Sequence, residues 1–310
     1  MREKVYVISA SYAQQRLWFL DQLDPLNTAF IIPVALSLRG PLAVSALYDC
    51  LNLLISRHES FRTCFTSRDG SPVQMICPSL SLDLPLIDLC SLDYSVARRT
   101  ALDLASQLSS IPFDLSSPPL MRACLIKLSE QEHLLALAIH HIICDGWSMA
   151  VFYREMATCY EAFSSGRVPQ LPELDIQYAD FALWQNDMLE RDDEQSSLRE
   201  QLQYWAQQLG GDIPLLALPT DRNRPAVQSY HGQRLYLEIP AHLVGRLRAF
   251  ALDHRATLFM TLLSAFFALL HRLSGQSDIT VGTAIAGRTR PETEPLIGLF
   301  LNTLVLRASP

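Results

Sequence analysis

The chain has 310 residues, a net charge of -7 and a pI near 5.6; 49% of its residues are hydrophobic and 18% charged. That balance suits a well-packed globular protein and excludes a disordered one, while the acidic excess excludes the basic face of a general nucleic-acid binder. The longest strongly apolar run, 258–270, is shorter than the roughly 18 residues a bilayer-spanning helix needs, and the N-terminus carries no signal-peptide core, so a cytoplasmic protein without nucleic-acid or membrane partners is expected.

In chain order, Leu47, Cys50, Leu51, Leu54 and Ile55 recur at helical spacing and predict an amphipathic helix over 44–57. Runs at 61–66 and 72–77 flank Asp69-Gly70 and predict a β-hairpin. A helix follows over 95–110. Residues 119–128 and 133–143 read as paired strands around a polar turn, the second apolar on both faces and so covered on both sides. It ends at Cys144-Asp145-Gly146, after which Phe152, Met156, Cys159, Tyr160 and Phe163 form one helical stripe. The breaker-rich stretch 164–172 is the domain boundary expected from composition, dividing the chain into 1–172 and 173–310. Helices are expected at 176–190, 194–209, 241–254 and 257–273, and strands at 232–239, 278–285 and 296–307. The pattern is that of an α+β or mixed α/β chain in two halves.

The chemistry concentrates in His140-His141-Ile142-Ile143-Cys144-Asp145-Gly146. If this stretch is a strand, successive side chains point to opposite faces, so the two imidazoles cannot line one cavity unless the strand breaks between them. One histidine is then chemical and the other structural. The same divergence opposes a metal site and a Cys144 nucleophile. Asp145 can either orient a histidine or hold the loop through an ion pair, and Gly146 offers a backbone conformation closed to other residues. Cys50, Cys64, Cys77, Cys90, Cys124, Cys144 and Cys159 form no C-x-x-C pair and no even disulfide framework. Walker, G-x-G-x-x-G and G-x-S-x-G motifs are absent from the sequence. The residues alone thus reach an enzyme with a strand-end histidine base.

The run 140–146 resembles the H-H-x-x-x-D-G motif of condensation domains of nonribosomal peptide synthetases, within the chloramphenicol acetyltransferase-like superfamily. Residues 11–20, 57–63, 178–184 and 297–304 resemble four further motifs in family order. The resemblance implies a two-lobed sandwich, a pseudo-dimer of acetyltransferase-like halves, with the C-terminal lobe incomplete because family domains continue past the fifth motif. It implies amide formation between an acyl or peptidyl thioester on an upstream donor carrier protein and an aminoacyl group on a downstream acceptor carrier. The 4'-phosphopantetheine arms belong to those partners, an adenylation domain adjoins in the full synthetase, and no cofactor is bound covalently.

By the same resemblance His141 is the catalytic residue, as base or as positioner of the amine, with His140 in support. Asp145 is implied to pair with Arg62, Gly146 to turn its N–H towards an oxyanion, and Trp147, Ser148 and Asn302 to lie near the substrate tunnel. Intact histidines oppose heterocyclisation, and the opening motif favours condensation over epimerisation. Competing expectations are a carrier-docking inactive fragment and a coenzyme A-dependent acyltransferase of the same superfamily.

Overall fold

The computed structural model describes residues 5–190, 197–223, 225–226, 232–233 and 235–309. In chain order the elements begin with β1 (Tyr6–Ser9), α1 (Tyr12–Leu23), β2 (Ile31–Arg39) and α2 (Val44–Arg57). Next come β3 (Thr63–Arg68), β4 (Ser71–Ile76), β5 (Leu86–Asp88), α3 (Tyr94–Ser110), β6 (Met121–Ser129), β7 (Glu132–His140), α4 (Gly146–Ser164) and α5 (Tyr178–Glu190). The rest are α6 (Ser197–Gln208), α7 (Ala241–Asp253), α8 (Leu258–Ser274), β8 (Ile279–Ile285) and β9 (Asn302–Ala308). No single described helix is long and apolar enough to cross a membrane.

Two compact units result, one of Met1–Asp192 with Ala286–Asn302, the other of Asp193–Ile285 with Thr303–Pro310. In the first, a four-stranded sheet has the order β2-β7-β6-β5 and a three-stranded sheet the order β1-β4-β3. The doubly apolar β7 lies inside the larger sheet, antiparallel to β2 on one side and β6 on the other. Leu135, Leu137 and Ile139 join the main core with Leu47, Cys50, Leu51 and Leu54 of α2 and Phe152 and Cys159 of α4. Leu134 and Ala136 face the other way, onto Ala97 and Ala101 of α3. Each large apolar side chain buried in this way contributes on the order of 1.5–3 kcal/mol. α5 belongs to this unit because Tyr178 and Ala182 sit in its core.

In the second unit α8 is capped at its start by the Thr257 hydroxyl and stopped by Gly275, whose φ of 70° is the left-handed ending that favours glycine. Phe267 and Leu270 pack there with Ile279 of β8, which pairs with β9.

Four expectations differ. The strand expected over 133–143 stops at His140, and 141–143 form a 3-10 turn. The first arm of the hairpin begins at Thr63, because Glu59–Arg62 form another 3-10 turn. The strand expected over 296–307 is confined to Asn302–Ala308; Leu296, Ile297, Leu299 and Phe300 are instead buried as a loop in the first unit. The described residues of 232–239 form no strand: Leu235, Tyr236 and Leu237 are exposed and no described strand pairs with them. For the helix expected over 194–209, residues 194–196 lie outside the described residues.

Candidate active site

The break between the histidines has a local cause. His140 ends β7, and its Nδ1 accepts from the Ile142 N–H at 3.1 Å, capping the turn that begins with His141. The backbone N–H of His141 donates to Phe30 O at 2.7 Å and holds the turn against the chain entering β2. The alternation argument therefore does not govern this pair, since the strand ends between the two rings. Their surroundings still differ. His140 is 2% exposed and packs edge-on to Phe113 at 6.1 Å. Burial, then the neighbouring His141, pushes its pKa down to about 4, so the ring is neutral, and its accepting Nδ1 assigns the proton to Nε2. His141 is only partly buried, and its own Nδ1 is sealed from solvent without a hydrogen-bond partner among the described residues.

Asp145 is the N-cap of α4, which accounts for its place just before a helix. Its Oδ1 accepts from the Ser148 N–H at 2.8 Å and lies 2.7 Å from the Ser148 hydroxyl. Its Oδ2 accepts from the N–H groups of Phe300 at 2.9 Å and Leu301 at 3.2 Å. Arg288 Nη2 stands 3.4 Å from Oδ1, and both side chains are 1% exposed. The same nitrogen donates to Ser148 Oγ at 2.8 Å, while Nη1 donates to Thr293 O. The guanidinium lies over Phe300, 4.0 Å from the ring centroid. The carboxylate thus fastens both ends of the loop 286–302. Gly287 permits the close approach: its φ is 68°, and a Cβ there would lie 2.0 Å from Phe300 O.

This arrangement corrects the implied Arg62–Asp145 pair. Arg62 donates to four main-chain carbonyls, those of Ile55 at 3.1 Å, Ser56 at 3.3 Å, Pro78 at 3.2 Å and Cys77. It ties the end of α2 to the end of β4, and Arg288 takes the carboxylate. Gly146 also departs from expectation. It is the first residue of α4 with an ordinary helical backbone, and an added Cβ would meet nothing within 4 Å. Its amide is still one of the N–H groups that a helix start leaves without an intrahelical acceptor.

Of the implied tunnel residues, Ser148 is fully buried in the Asp145 network, its hydroxyl also accepting from the Gly298 N–H at 3.1 Å. Trp147 is half-exposed and donates from Nε1 to Glu294 O at 3.0 Å. Asn302 is exposed at the start of β9.

The motif stretches meet around this loop. Ser60 donates to Ile297 O at 2.6 Å. The Tyr178 hydroxyl donates to Leu299 O at 2.7 Å and lies 2.7 Å from Ser11 Oγ. Gln14 Nε2 reaches Ile142 O at 3.3 Å and Gln74 Oε1 at 3.2 Å, binding α1 to the turn that bears His141. Tyr178 and Phe181 both pack on Phe300; Tyr178 is core and Phe181 packs partly buried against it, while Trp184 is partly buried with Arg290 over its ring at 4.4 Å. Arg288 and Gln14 are the residues that sequence reasoning missed. Gln14 carries a signal, since with Ser11 it makes a capping box; Arg288 carries none.

Two other buried groups are held by their surroundings. Cys144 is fully buried, and burial first, then the Asp145 charge, drives its thiol pKa well above the usual range, leaving no thiolate for attack. His58 Nε2 stands 2.8 Å from Glu155 Oε2, with Arg57 Nε 3.3 Å from the same oxygen. Burial alone would raise the Glu155 pKa, but the His58 and Arg57 contacts outweigh it and hold it below the ordinary value.

The family model described as "Condensation domain" matches residues 4–310. The chain is 50% identical over 300 residues to a linear gramicidin synthase protein of Brevibacillus parabrevis, covering 97% of this chain and 4% of that protein. It is 43% identical to a phosphinothricin tripeptide synthetase of Streptomyces viridochromogenes, with 97% and 27% covered. The chain thus spans a small part of these relatives. Among solved structures it resembles the X-domain from teicoplanin biosynthesis, at 30% identity and a TM-score of 0.85, covering 99% of this chain and 66% of that one. The first condensation domain of the CDA synthetase shares the fold at 23% identity and a TM-score of 0.79, with 98% and 71% covered.

Proposed function

This chain belongs to the condensation-domain family, and from that premise we propose that it joins a carrier-bound acyl or peptidyl thioester to a carrier-bound aminoacyl group, with His141 as the catalytic residue. The observation that carries this reading is the division of labour at 140–145. His140 spends its Nδ1, and Asp145 both carboxylate oxygens, on the fold, while His141 is left partly exposed beside them. A neutral imidazole there can accept a proton from the attacking amine, or hold that amine in line with the thioester carbonyl.

In the step proposed, the amine nitrogen bonds to the thioester carbon and the carbon–sulfur bond breaks. The amine proton ends on the departing thiol of the donor's phosphopantetheine. The oxyanion formed on the way is placed by this reading near the start of α4. There the Gly146 N–H and the positive end of a 19-residue helix favour negative charge. Asp145, Arg288 and Ser148 are positioning residues that keep the His141 turn and the loop 286–302 in register. Trp147, half-exposed, and Asn302, exposed, are assigned to the path of the pantetheine arms. The partners are an upstream donor and a downstream acceptor carrier protein, with an adenylation domain alongside, and the compartment is the cytoplasm.

The test loads one carrier with an acyl group and another with an aminoacyl group and seeks the dipeptidyl thioester by mass spectrometry. The product is expected with the unmodified chain and lost in His141→Ala. Carrier binding without product would favour a docking fragment, and turnover of free acyl-coenzyme A an acyltransferase; either overturns the proposal.

A further inference from the structure

Asp21, near the end of α1, is 8% exposed. Among the described residues its carboxylate has a single hydrogen bond, from Gln22 Nε2 to Oδ2 at 3.3 Å, and no ion pair. Burial first, then the charges of Asp114 and Asp24, push its pKa up to about 6 against the Gln22 hydrogen bond. A carboxylate removed from water without a counter-charge is unfavourable unless something cationic meets it.

The space beside it can hold such a group. Asp21 lines a cavity of about 550 Å³ whose other walls include Trp18, Phe65 and Phe113, with Asp114 and Ser67 also lining it. The volume lies in the range of small-molecule sites. The lining is mixed: Phe65 and Phe113 back it as buried rings, Trp18 is only partly buried, and Asp21, Gln22, Thr66, Ser67, Asp114 and Ser116 make the rest largely polar, with negative charge from the two aspartates. One face of Phe113 already carries the Arg122 guanidinium, 3.7 Å from the ring centroid, which shows that this aromatic wall accepts a cation. Trp18, which is only partly buried, offers the same attraction to a second one.

We propose that this cavity binds a small organic cation, an ammonium group on an aromatic or alkyl body, with Asp21 as its counter-charge. The site is built from α1, β3 and the loop 112–116, none of which supplies His141, although its wall residue Phe113 also packs on His140; the proposal does not rest on the condensation reading. The ammonium sits against the Asp21 carboxylate, and the apolar body lies against Trp18.

The test is titration calorimetry of the full chain with phenethylammonium at pH 7.5, against benzyl alcohol and 3-phenylpropionate as neutral and anionic counterparts. Binding of phenethylammonium is expected at least about tenfold tighter than that of either counterpart. Asp21→Asn should lose about the same factor, while His141→Ala should leave the affinity unchanged. Equal binding of the neutral counterpart, or no binding of phenethylammonium at millimolar concentration, overturns the proposal. Should Asp21→Asn fail to fold, Ser67→Trp, at an exposed position lining the cavity, is expected to abolish binding by filling it; retained binding there overturns the proposal too.

Discussion

Arg288 Nη2 lies 3.4 Å from Asp145 Oδ1, and the two side chains are sealed from solvent to the same degree. Forming such a pair brings little net stability, because desolvation opposes the attraction, but removing one partner strands a buried charge and costs about 3–5 kcal/mol. Arg288→Met should therefore destabilise the first unit by about that amount in urea denaturation. A double-mutant cycle of Arg288→Met with Asp145→Asn should show a coupling above about 1 kcal/mol. The same cycle with Arg62→Ala should show almost none, because Arg62 bonds only carbonyls. Coupling between Arg62 and Asp145 as large as that of Arg288 would refute the assignment.

That contrast marks how far the sequence could be read. Helices α2, α3 and α4 and the doubly apolar β7 were legible because periodicity and burial are local properties. The His140–His141 boundary was not, because it depends on an imidazole nitrogen capping a turn two residues on. Which arginine meets Asp145 depends on where the loop 286–302 is routed, 143 residues away in the chain. No spacing rule carries that. Residues 296–301 read as a strand because they are apolar, yet their N–H groups at Phe300 and Leu301 are spent on a carboxylate.

His140 makes the fold sensitive to acid. Its folded pKa, about 4, lies below the ordinary 6.5, so between these values the unfolded chain binds more protons than the folded one and stability rises with pH. The full contribution is present above pH 6.5 and is progressively lost as pH falls towards 4, with a ceiling on the order of 3 kcal/mol. Urea titrations from pH 4.5 to 7.5 should show this slope in the unmodified chain and a smaller one in His140→Gln. Identical slopes would mean that His140 does not titrate as its burial implies.

Cysteine labelling checks the exclusion of a thiol nucleophile. Cys90 is exposed and Cys77 partly so, whereas Cys50, Cys64, Cys124, Cys144 and Cys159 are buried. Native alkylation with iodoacetamide at pH 8, read by peptide mass spectrometry, should modify Cys90 first, Cys77 slowly and Cys144 only after denaturation. Rapid native modification of Cys144 would reopen its role in the chemistry.

Gly298 and Tyr178 test whether the motif stretches form one packed unit. A Cβ on Gly298 would stand 1.9 Å from Tyr178 Cδ2, well inside contact distance, and the Tyr178 ring cannot swing away. It is 1% exposed, packs edge-on to Phe300 at 4.9 Å, and is held by its hydroxyl to Leu299 O. Gly298→Ala must therefore displace the loop that delivers the Phe300 and Leu301 N–H groups to Asp145. Overpacking of this kind costs about 1–3 kcal/mol. The loss should appear in the thermal midpoint and, through the loosened Asp145 cap, in the yield of dipeptidyl thioester. Tyr178→Leu removes the ring and its hydrogen bond but frees the space, so the double variant should be more stable than the sum of the single losses predicts. Strictly additive losses would show that the loop and the helix bearing Tyr178 respond independently.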